Sequence, residues 1–320
     1  MKVLVTAPIK RFPKVIKELE SFSDLTIKEY LDKNKLIKII GKYEGLIPNA
    51  RIPINREVIE AASKLRGIYQ PSLGYEHIDT AALKEKKILF GCLAFDKKFK
   101  STLWSTAEHT LTLILSLIKK IHIANQRVTK FGEWDNRKFM IEDLGNKTVG
   151  IIGLGNIGSK VAKLSENFGA NIIAHDPYVK SKKYKLVSLN KLCSEADIIT
   201  LHIPFNEETK NLLSYKEFVR MKKKICLVNT SRGGIVNEYQ LKKFLIKNKN
   251  FLYGADVLEG ESPNGVQNNM LVKLSKKQNN ILLTPHIGGS SYQYMEKIFI
   301  YSAKKLHYFL FNKTSQRNGI

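Results

Sequence analysis

The sequence predicts an α/β protein of two domains, each built on a parallel sheet covered by helices. Three observations predict it. Short apolar strands alternate with amphipathic helices along nearly the whole chain, the pattern of βαβ units and a doubly wound sheet. A length of 320 residues is enough for two cores. Between Thr148 and Pro177 the order is strand, glycine turn, helix, strand, acid.

In the first stretch, to about residue 97, Lys2 to Ala7 reads as a strand and Lys14 to Ser21 as a short helix. Strand-like runs follow at Leu25 to Tyr30, Leu36 to Ile40, Gly45 to Ile47, Gly67 to Tyr69 and Ile88 to Phe90. Helical segments near Asn55 to Lys64 and Ile78 to Glu85 separate them. No glycine fingerprint follows the first strand, so the nucleotide is not expected here. Gln70-Pro71-Ser72-Leu73-Gly74-Tyr75 lies between a strand and a helix, and the N–H groups of Ser72, Leu73 and Gly74 are candidates to hold a substrate carboxylate. A plain βα turn explains the stretch equally well. Phe95 to Trp104 is lysine-rich and the least regular segment, and the domain boundary is expected there.

Ser105-Thr106-Ala107-Glu108 has the form of a capping box and leads into an apolar helix to about Ile121. Its most apolar window, Leu111 to Ile118, is far short of the ~20 residues that span a bilayer and reads as a buried helix. Asn125 to Gly145 is polar with scattered aromatics and reads as an arm or loop. Val149 to Ile152, β-branched and short, is a strand. Gly153-Leu154-Gly155-Asn156-Ile157-Gly158 follows, then a helical face of Ile157, Val161, Leu164 and Phe168 stopped by Gly169. The next strand starts at Asn171 and ends at Asp176.

Each part of this unit has a physical task. Gly153 permits the tight turn, Gly155 lets backbone approach a pyrophosphate, and Gly158 lets the helix pack closely on the strand. Asn156 and Ile157 open the helix, whose unpaired N–H groups and positive dipole end face the phosphates. Asp176, 18 residues beyond Gly158, is placed to accept both ribose hydroxyls and to repel a 2′-phosphate. NAD is therefore expected over NADP, a preference that Lys180, Lys182 and Lys183 soften. Beyond it the alternation resumes with strands Ile198 to Ile203, Ile225 to Asn229, Tyr253 to Val257 and Ile281 to Leu283. Helices are expected at Tyr215 to Met221 and Glu238 to Lys247, a loop with one short helix at Leu258 to Leu274, and from Ser290 a long helix with a frayed polar end.

The net charge of +24 invites a nucleic-acid reading, but only nine of the 53 basic residues are arginine and the lysines are scattered. Nucleic-acid readers concentrate charge on one face and use arginine for bidentate contacts. A solvated surface that draws in small anionic substrates is the better account. Cys92, Cys193 and Cys226 lack CxxC pairing, so neither a disulfide framework nor a zinc site is expected, no metal is called for, and a reducing cytoplasm fits. MKVLVTAPIK reads as a first strand without a signal-peptide core, and no internal repeat is present.

Three later strand ends carry unusual polar residues: Arg232 in Asn229 to Gly234, Glu261 in Asp256 to Glu261, and His286 in Thr284 to Gly289. Ligands of open α/β sheets bind just beyond the carboxyl ends of strands. Arginine can fork onto a carboxylate, and histidine beside an acid is a natural proton donor. GLGNIG, HDPY, LHIPFNEETKNLL, NTSRGGIVNE, GADVLEGE and TPHIGGSS, in this order, resemble the NAD-dependent D-isomer-specific 2-hydroxyacid dehydrogenases, the group containing D-3-phosphoglycerate dehydrogenase. The resemblance runs from about Gly45 onward and is densest from Thr148 to Ser291.

The resemblance implies a Rossmann-type doubly wound sheet at 99–289, inserted into a smaller flavodoxin-like substrate domain made of 1–98 and the C-terminal helix of 290–320. It implies that His286 is the acid/base, that Glu261 pairs with it, and that Arg232 binds the substrate carboxylate and polarises the carbonyl. Asp256 matches an acid near the nicotinamide, and His202, Pro204 and Thr230 lie in segments that line the cofactor. His77, His109, His122, His175 and His307 are read as surface or core residues. Phosphoglycerate dehydrogenases carry arginines in the segment matching Pro48 to Arg51 and at Gln70. Here Arg51 is displaced, Gln70 is uncharged and the Gly91 to Trp104 loop is longer than usual. A phosphate pocket is thus in question, and glyoxylate, hydroxypyruvate or another small 2-oxo acid stays equally open. The family implies a cytoplasmic homodimer without a membrane partner. Two alternatives stand beside it: a 3-phosphoglycerate dehydrogenase proper, and a non-catalytic NAD-binding regulator of the corepressor type.

Overall fold

The alternation of strands and helices resolves into two parallel sheets, one in each of two units, Met1–Leu103 with Ser291–Ile320 and Trp104–Ser290. The computed structural model describes residues 1–29, 31–262 and 265–312. The first unit contains β1 (Lys2–Val5), α1 (Pro13–Glu20), β2 (Asp24–Ile27), α2 (Lys33–Ile40) and β3 (Gly45–Ile47). It continues with α3 (Arg56–Ala61), β4 (Gly67–Gln70), α4 (Thr80–Glu85), β5 (Leu89–Cys92), the short α5 (Lys97–Lys100) and the C-terminal helix Tyr292–Phe311. The strands run in the order β2-β1-β3-β4-β5, all parallel, which is the flavodoxin-like order.

Period-two alternation divides this sheet between two cores. Leu4, Leu46 and Ile68 pack with Leu36, Ile40 and Val58 from α2 and α3 on one face. Val3, Val5, Ile47 and Tyr69 pack on the other with Val15 of α1 and with Phe299, Ala303, Leu306 and Leu310 of the C-terminal helix. That helix lies close to the strands: a Cβ at Gly67 would stand 3.2 Å from Phe309 and one at Gly91 2.9 Å from it.

The second unit contains α6 (Ser105–Ile118), α7 (Ile121–Phe131), β6 (Thr148–Ile152), α8 (Asn156–Asn167), β7 (Asn171–His175), β8 (Lys185–Leu186) and α9 (Leu189–Glu195). Then come β9 (Ile198–Leu201), α10 (Tyr215–Phe218), β10 (Cys226–Asn229), α11 (Glu238–Lys247), β11 (Leu252–Ala255), α12 (Met270–Ser275) and β12 (Ile281–Leu283). Its order is β12-β11-β10-β9-β6-β7-β8, so chain direction across the sheet reverses between β6 and β9, the Rossmann-type arrangement. Helices α6 and α8 cover one face through Leu113, Ile114 and Val161 against Val149, Ile151 and Val228. Residues of α9, α10 and α11 cover the other, Leu192, Phe218 and Leu241 against Ile199, Leu201 and Leu227.

The register of this sheet sets which residues share its carboxyl edge. His175, Ile152, Leu201, Asn229, Ala255 and Leu283 are successive cross-strand partners. They form one row at the carboxyl ends of the strands. The residues that come next in the chain are therefore Asp176, Gly153, His202, Thr230, Asp256 and Thr284, along a single edge of the sheet.

Several elements depart from the sequence expectations. Leu36 to Ile40 is helix, not strand. The run is β-branched, but Asp32 caps it by accepting the Lys35 N–H at 2.8 Å, and Leu36 and Ile40, one turn apart, are both buried. Capping and periodic burial outweigh the local preference. The capping box at Ser105 to Glu108 does not form, because no side chain caps α6 and the Ser105 hydroxyl is used elsewhere. Helix α6 stops at Ile118, a left-handed Lys120 turns the chain, and the expected arm begins with a helix, α7. Phe168 is exposed rather than on the buried face of α8, which instead buries Lys160 and Ser165 beside Val161. Strand β8 and helix α9 have no counterpart among the sequence expectations. The Tyr30 end of the second expected strand and the frayed tail beyond residue 312 lie outside the described residues. Among the described residues, no helix is long and apolar enough to cross a membrane.

Candidate active site

Beside Asp176 in the row the glycine turn has a geometry only these residues allow. Gly153 has φ +90°, and a Cβ there would stand 2.6 Å from the His202 carbonyl oxygen. At Gly158 it would stand 1.9 Å from the Gly153 oxygen. Gly155 is different: a Cβ would meet nothing within 4 Å. The open space lies at the N-terminus of α8, where no side chain caps the first turn, Asn156 to Gly158. Unpaired N–H groups facing open space suit a pyrophosphate. The Asp176 carboxylate accepts the Leu154 N–H at 2.8 Å and the Tyr178 N–H at 2.9 Å, so the acid is held beside the turn. The donor set, the open cradle and the anchored acid fit a dinucleotide. His202 is partly buried, and its Nε2 meets the Thr200 hydroxyl at 2.9 Å. Burial drops its imidazole pKa to about 3, so it is neutral near pH 7. Pro204 is exposed on the same loop.

Further along the row, His286 Nδ1 bonds Glu261 Oε1. The other Glu261 oxygen accepts the Leu258 N–H at 3.2 Å, which fixes the carboxylate. Among the described residues, His286 Nε2 has no partner. His286 itself has φ +55°, a left-handed conformation costly for a residue with a Cβ. What holds it there is Asp256, 3% exposed, which accepts the Ile287 N–H at 2.9 Å, the Gly288 N–H at 2.8 Å and the Thr284 hydroxyl at 2.6 Å. Burial alone would raise the Asp256 pKa; donation from His109, Thr284, Gly288 and Ile287 outweighs it and holds the carboxyl below the ordinary range.

Arg232 follows β10 on a loop pinned by Asn229, whose amide donates to the Arg232 carbonyl at 2.9 Å and accepts the Ser231 N–H at 3.0 Å. Ser231 in turn donates to the Leu201 carbonyl. Gly233 lies against the Glu261 loop so tightly that a Cβ would stand 2.1 Å from Glu259 N. Buried Glu238 accepts that same Glu259 N–H at 2.7 Å. Its own pKa is raised by burial and by the charges of Glu259 and Glu261. The Arg232 and Glu261 segments are thus packed as one piece. Thr230 is buried, with its hydroxyl 2.8 Å from that of Thr110.

Of the residues singled out from sequence, Gly153, Gly155, Gly158, Asp176, His202, Thr230, Arg232, Asp256, Glu261 and His286 all sit along this edge. Asn229 and Thr284, which open two of the polar strand-end segments, join them, and so do Glu238 and His109, which carry little site signal in the sequence. His109 is the correction: read as bland, it lies in α6 with Nε2 2.9 Å from Thr284 Oγ1 and 3.3 Å from Asp256. Its signal was faint, because helix α6 is remote in sequence from every strand end it meets. In the first unit, Ser72 accepts from the Gln70 amide at 2.7 Å and donates to the Gly74 carbonyl at 2.7 Å. The loop is thereby shaped by side chains, while the N–H groups of Ser72, Leu73 and Gly74 have no partner among the described residues.

The sequence profile described as "D-isomer specific 2-hydroxyacid dehydrogenase, NAD binding domain" matches residues 111–288. The chain belongs to this family. The matched span takes in the whole carboxyl-edge row, so the second unit carries the NAD-binding domain of this family. The chain is 34% identical over 296 residues to the D-3-phosphoglycerate dehydrogenase of Archaeoglobus fulgidus, which is 91% of this chain and 54% of that protein. It is 32% identical over 283 residues to the hydroxypyruvate reductase of Thermotoga maritima, 87% of this chain and 88% of that one. The chain spans about half the length of the phosphoglycerate dehydrogenases it matches. Among solved structures, a Thermus thermophilus protein superposes with a TM-score of 0.86 at 29% identity, covering 97% of both chains. D-Lactate dehydrogenase of Aquifex aeolicus, complexed with NAD and lactic acid, gives 0.82 at 26% identity over 97% of this chain and 95% of that one.

Proposed function

We propose that this family member is an NAD-dependent oxidoreductase interconverting a small D-2-hydroxy acid and its 2-oxo acid, with His286 as the acid/base. The observation that carries the reading is the His286–Glu261 pair at the carboxyl edge of the sheet. Glu261 holds Nδ1, so Nε2 is the nitrogen left to give a proton to the carbonyl oxygen in reduction, or to take one from the hydroxyl in oxidation. When bound, NAD supplies or accepts the hydride. Arg232, on its pinned loop, binds the substrate carboxylate and polarises the carbonyl. The glycine turn and Asp176 hold the pyrophosphate and the adenosine ribose, with NAD preferred to NADP.

Gln70 is fully buried and uncharged, which supports an unphosphorylated acid. D-3-Phosphoglycerate dehydrogenase activity is the second reading, favoured by the names of the relatives at 34% and 35% identity. The test is NADH oxidation with glyoxylate, hydroxypyruvate, pyruvate and phosphohydroxypyruvate. A preference for phosphohydroxypyruvate selects the second reading, and oxidation with none of them overturns both. The proposal includes a cytoplasmic homodimer. Three buried thiols support the compartment, and the arm supports the dimer, with Trp134 90% and Met140 82% exposed beside exposed Phe131 and Ile141. Trp134→Glu combined with Met140→Glu is expected to give monomers in sedimentation; an unchanged dimer would place the interface elsewhere.

A further inference from the structure

We propose that His109 is a positioning residue for the reaction, holding the His286 loop in its productive shape through Thr284 and Asp256. The proposal rests on the reading of His286 as acid/base. Thr284 has one hydroxyl hydrogen and gives it to Asp256 Oδ1 at 2.6 Å. The contact of Thr284 Oγ1 with His109 Nε2 at 2.9 Å must therefore run the other way, with the imidazole N–H donating. The same nitrogen is 3.3 Å from Asp256 Oδ1. His109 thus donates to Thr284 and sets the same N–H close to Asp256, the acid that also binds the Ile287 and Gly288 N–H groups, the two amides following His286.

The rest of the first two turns of α6 acts in the same direction. Ser105 donates to the Gly288 carbonyl at 2.7 Å. A Cβ at Gly288 would lie 3.0 Å from Asp256 Oδ2 and 3.3 Å from His109 Cδ2, so the loop rests directly on the pair. Thr110 reaches Thr230, in the segment that leads to Arg232. One helix therefore braces both catalytic segments. The brace is needed because His286 sits at φ +55°, a conformation that persists only where its surroundings over-determine it. With His109 removed, Thr284 loses its donor, Asp256 loses the imidazole N–H that stands 3.3 Å away, and the loop can relax to an ordinary backbone.

The test uses the full chain. His109→Ala is expected to lower kcat by about 10- to 100-fold with little change in KM for the 2-oxo acid, the scale of one or two lost hydrogen bonds to a charged centre. His109→Gln, whose amide N–H can meet Thr284, is expected to recover most of the loss. In a His286→Ala background the His109→Ala change is expected to cost nothing further, because the residue acts through His286. Amide hydrogen exchange at Ile287 and Gly288 is expected to quicken at least about tenfold in His109→Ala while β9 and β10 stay protected. A kcat within about twofold of wild type, an equal loss in the His286→Ala background, or unchanged or general exchange would each overturn the proposal. If the wild type oxidises NADH with no acid of the panel, the acid/base reading falls, and the exchange measurement still decides whether His109 holds the loop.

Discussion

At His286 backbone and side chain make opposed demands. The left-handed backbone is unfavourable, yet it sets the ring against Glu261 and leaves Nε2 without a partner among the described residues. In the proposed reaction loss of the ring removes the general acid, so His286→Ala is expected to lower turnover at least ~100-fold. NADH affinity, read by fluorescence, should stay near wild type, and near-normal turnover would sink the assignment. At the far end of the row Asp176 presents a carboxylate held by two backbone N–H groups. Asp176→Ala is expected to raise the NADPH-to-NADH ratio of kcat/KM, since the charge that repels a 2′-phosphate is gone. An unchanged ratio would remove Asp176 from the ribose site.

At the scale of the element, the turn into α8 shows that three glycines of one motif serve different purposes. Gly158 is needed for folding: a Cβ would overlap the Gly153 carbonyl oxygen at 1.9 Å. Gly155 faces open space, and its need arises only when a ligand approaches. Gly158→Ala is therefore expected to lower the thermal midpoint by several degrees, roughly 4 °C or more. Gly155→Ala should keep it within about 2 °C while weakening NADH binding at least ~10-fold. Equal effects of the two changes on stability would refute this division. Helix α2 shows why local signals alone mislead. Its β-branched run invites a strand, and the decision lies with the Asp32 cap and with a partner surface supplied by Leu4, Leu46 and Ile68.

At the scale of the molecule, pH dependence follows from which ionisable groups the fold buries. His202 has its pKa lowered from an ordinary 6.5 to about 3, so the unfolded chain takes up the proton first. Its contribution to stability is complete above about 6.5 and is lost progressively as pH falls toward the folded value. Asp256, also lowered, adds a second loss below its ordinary 3.8. Thermal midpoints from pH 7 to 4 are expected to fall less steeply in His202→Asn than in wild type. Self-repulsion from the net charge of +24 acts on both proteins and cancels in the comparison. Parallel slopes would show that His202 protonates as readily folded as unfolded.

By itself the sequence determined the α/β class and the glycine turn with its acid, and it singled out Arg232, Glu261 and His286 as the candidates for the chemistry proposed above. These are legible because each is local: a turn, a period or a motif is complete within about twenty residues. Only the tertiary structure decided that α6 braces the His286 loop, that Glu238 and Gly233 join the Arg232 and Glu261 segments, and that Ser105 serves a carbonyl 183 residues away instead of capping its own helix. Those contacts depend on the parallel register that brings Asp176, Gly153, His202, Thr230, Asp256 and Thr284 into line along one edge. A parallel sheet pairs strands through long crossovers, so the neighbours of a strand end are set by the order of the sheet rather than the order of the chain.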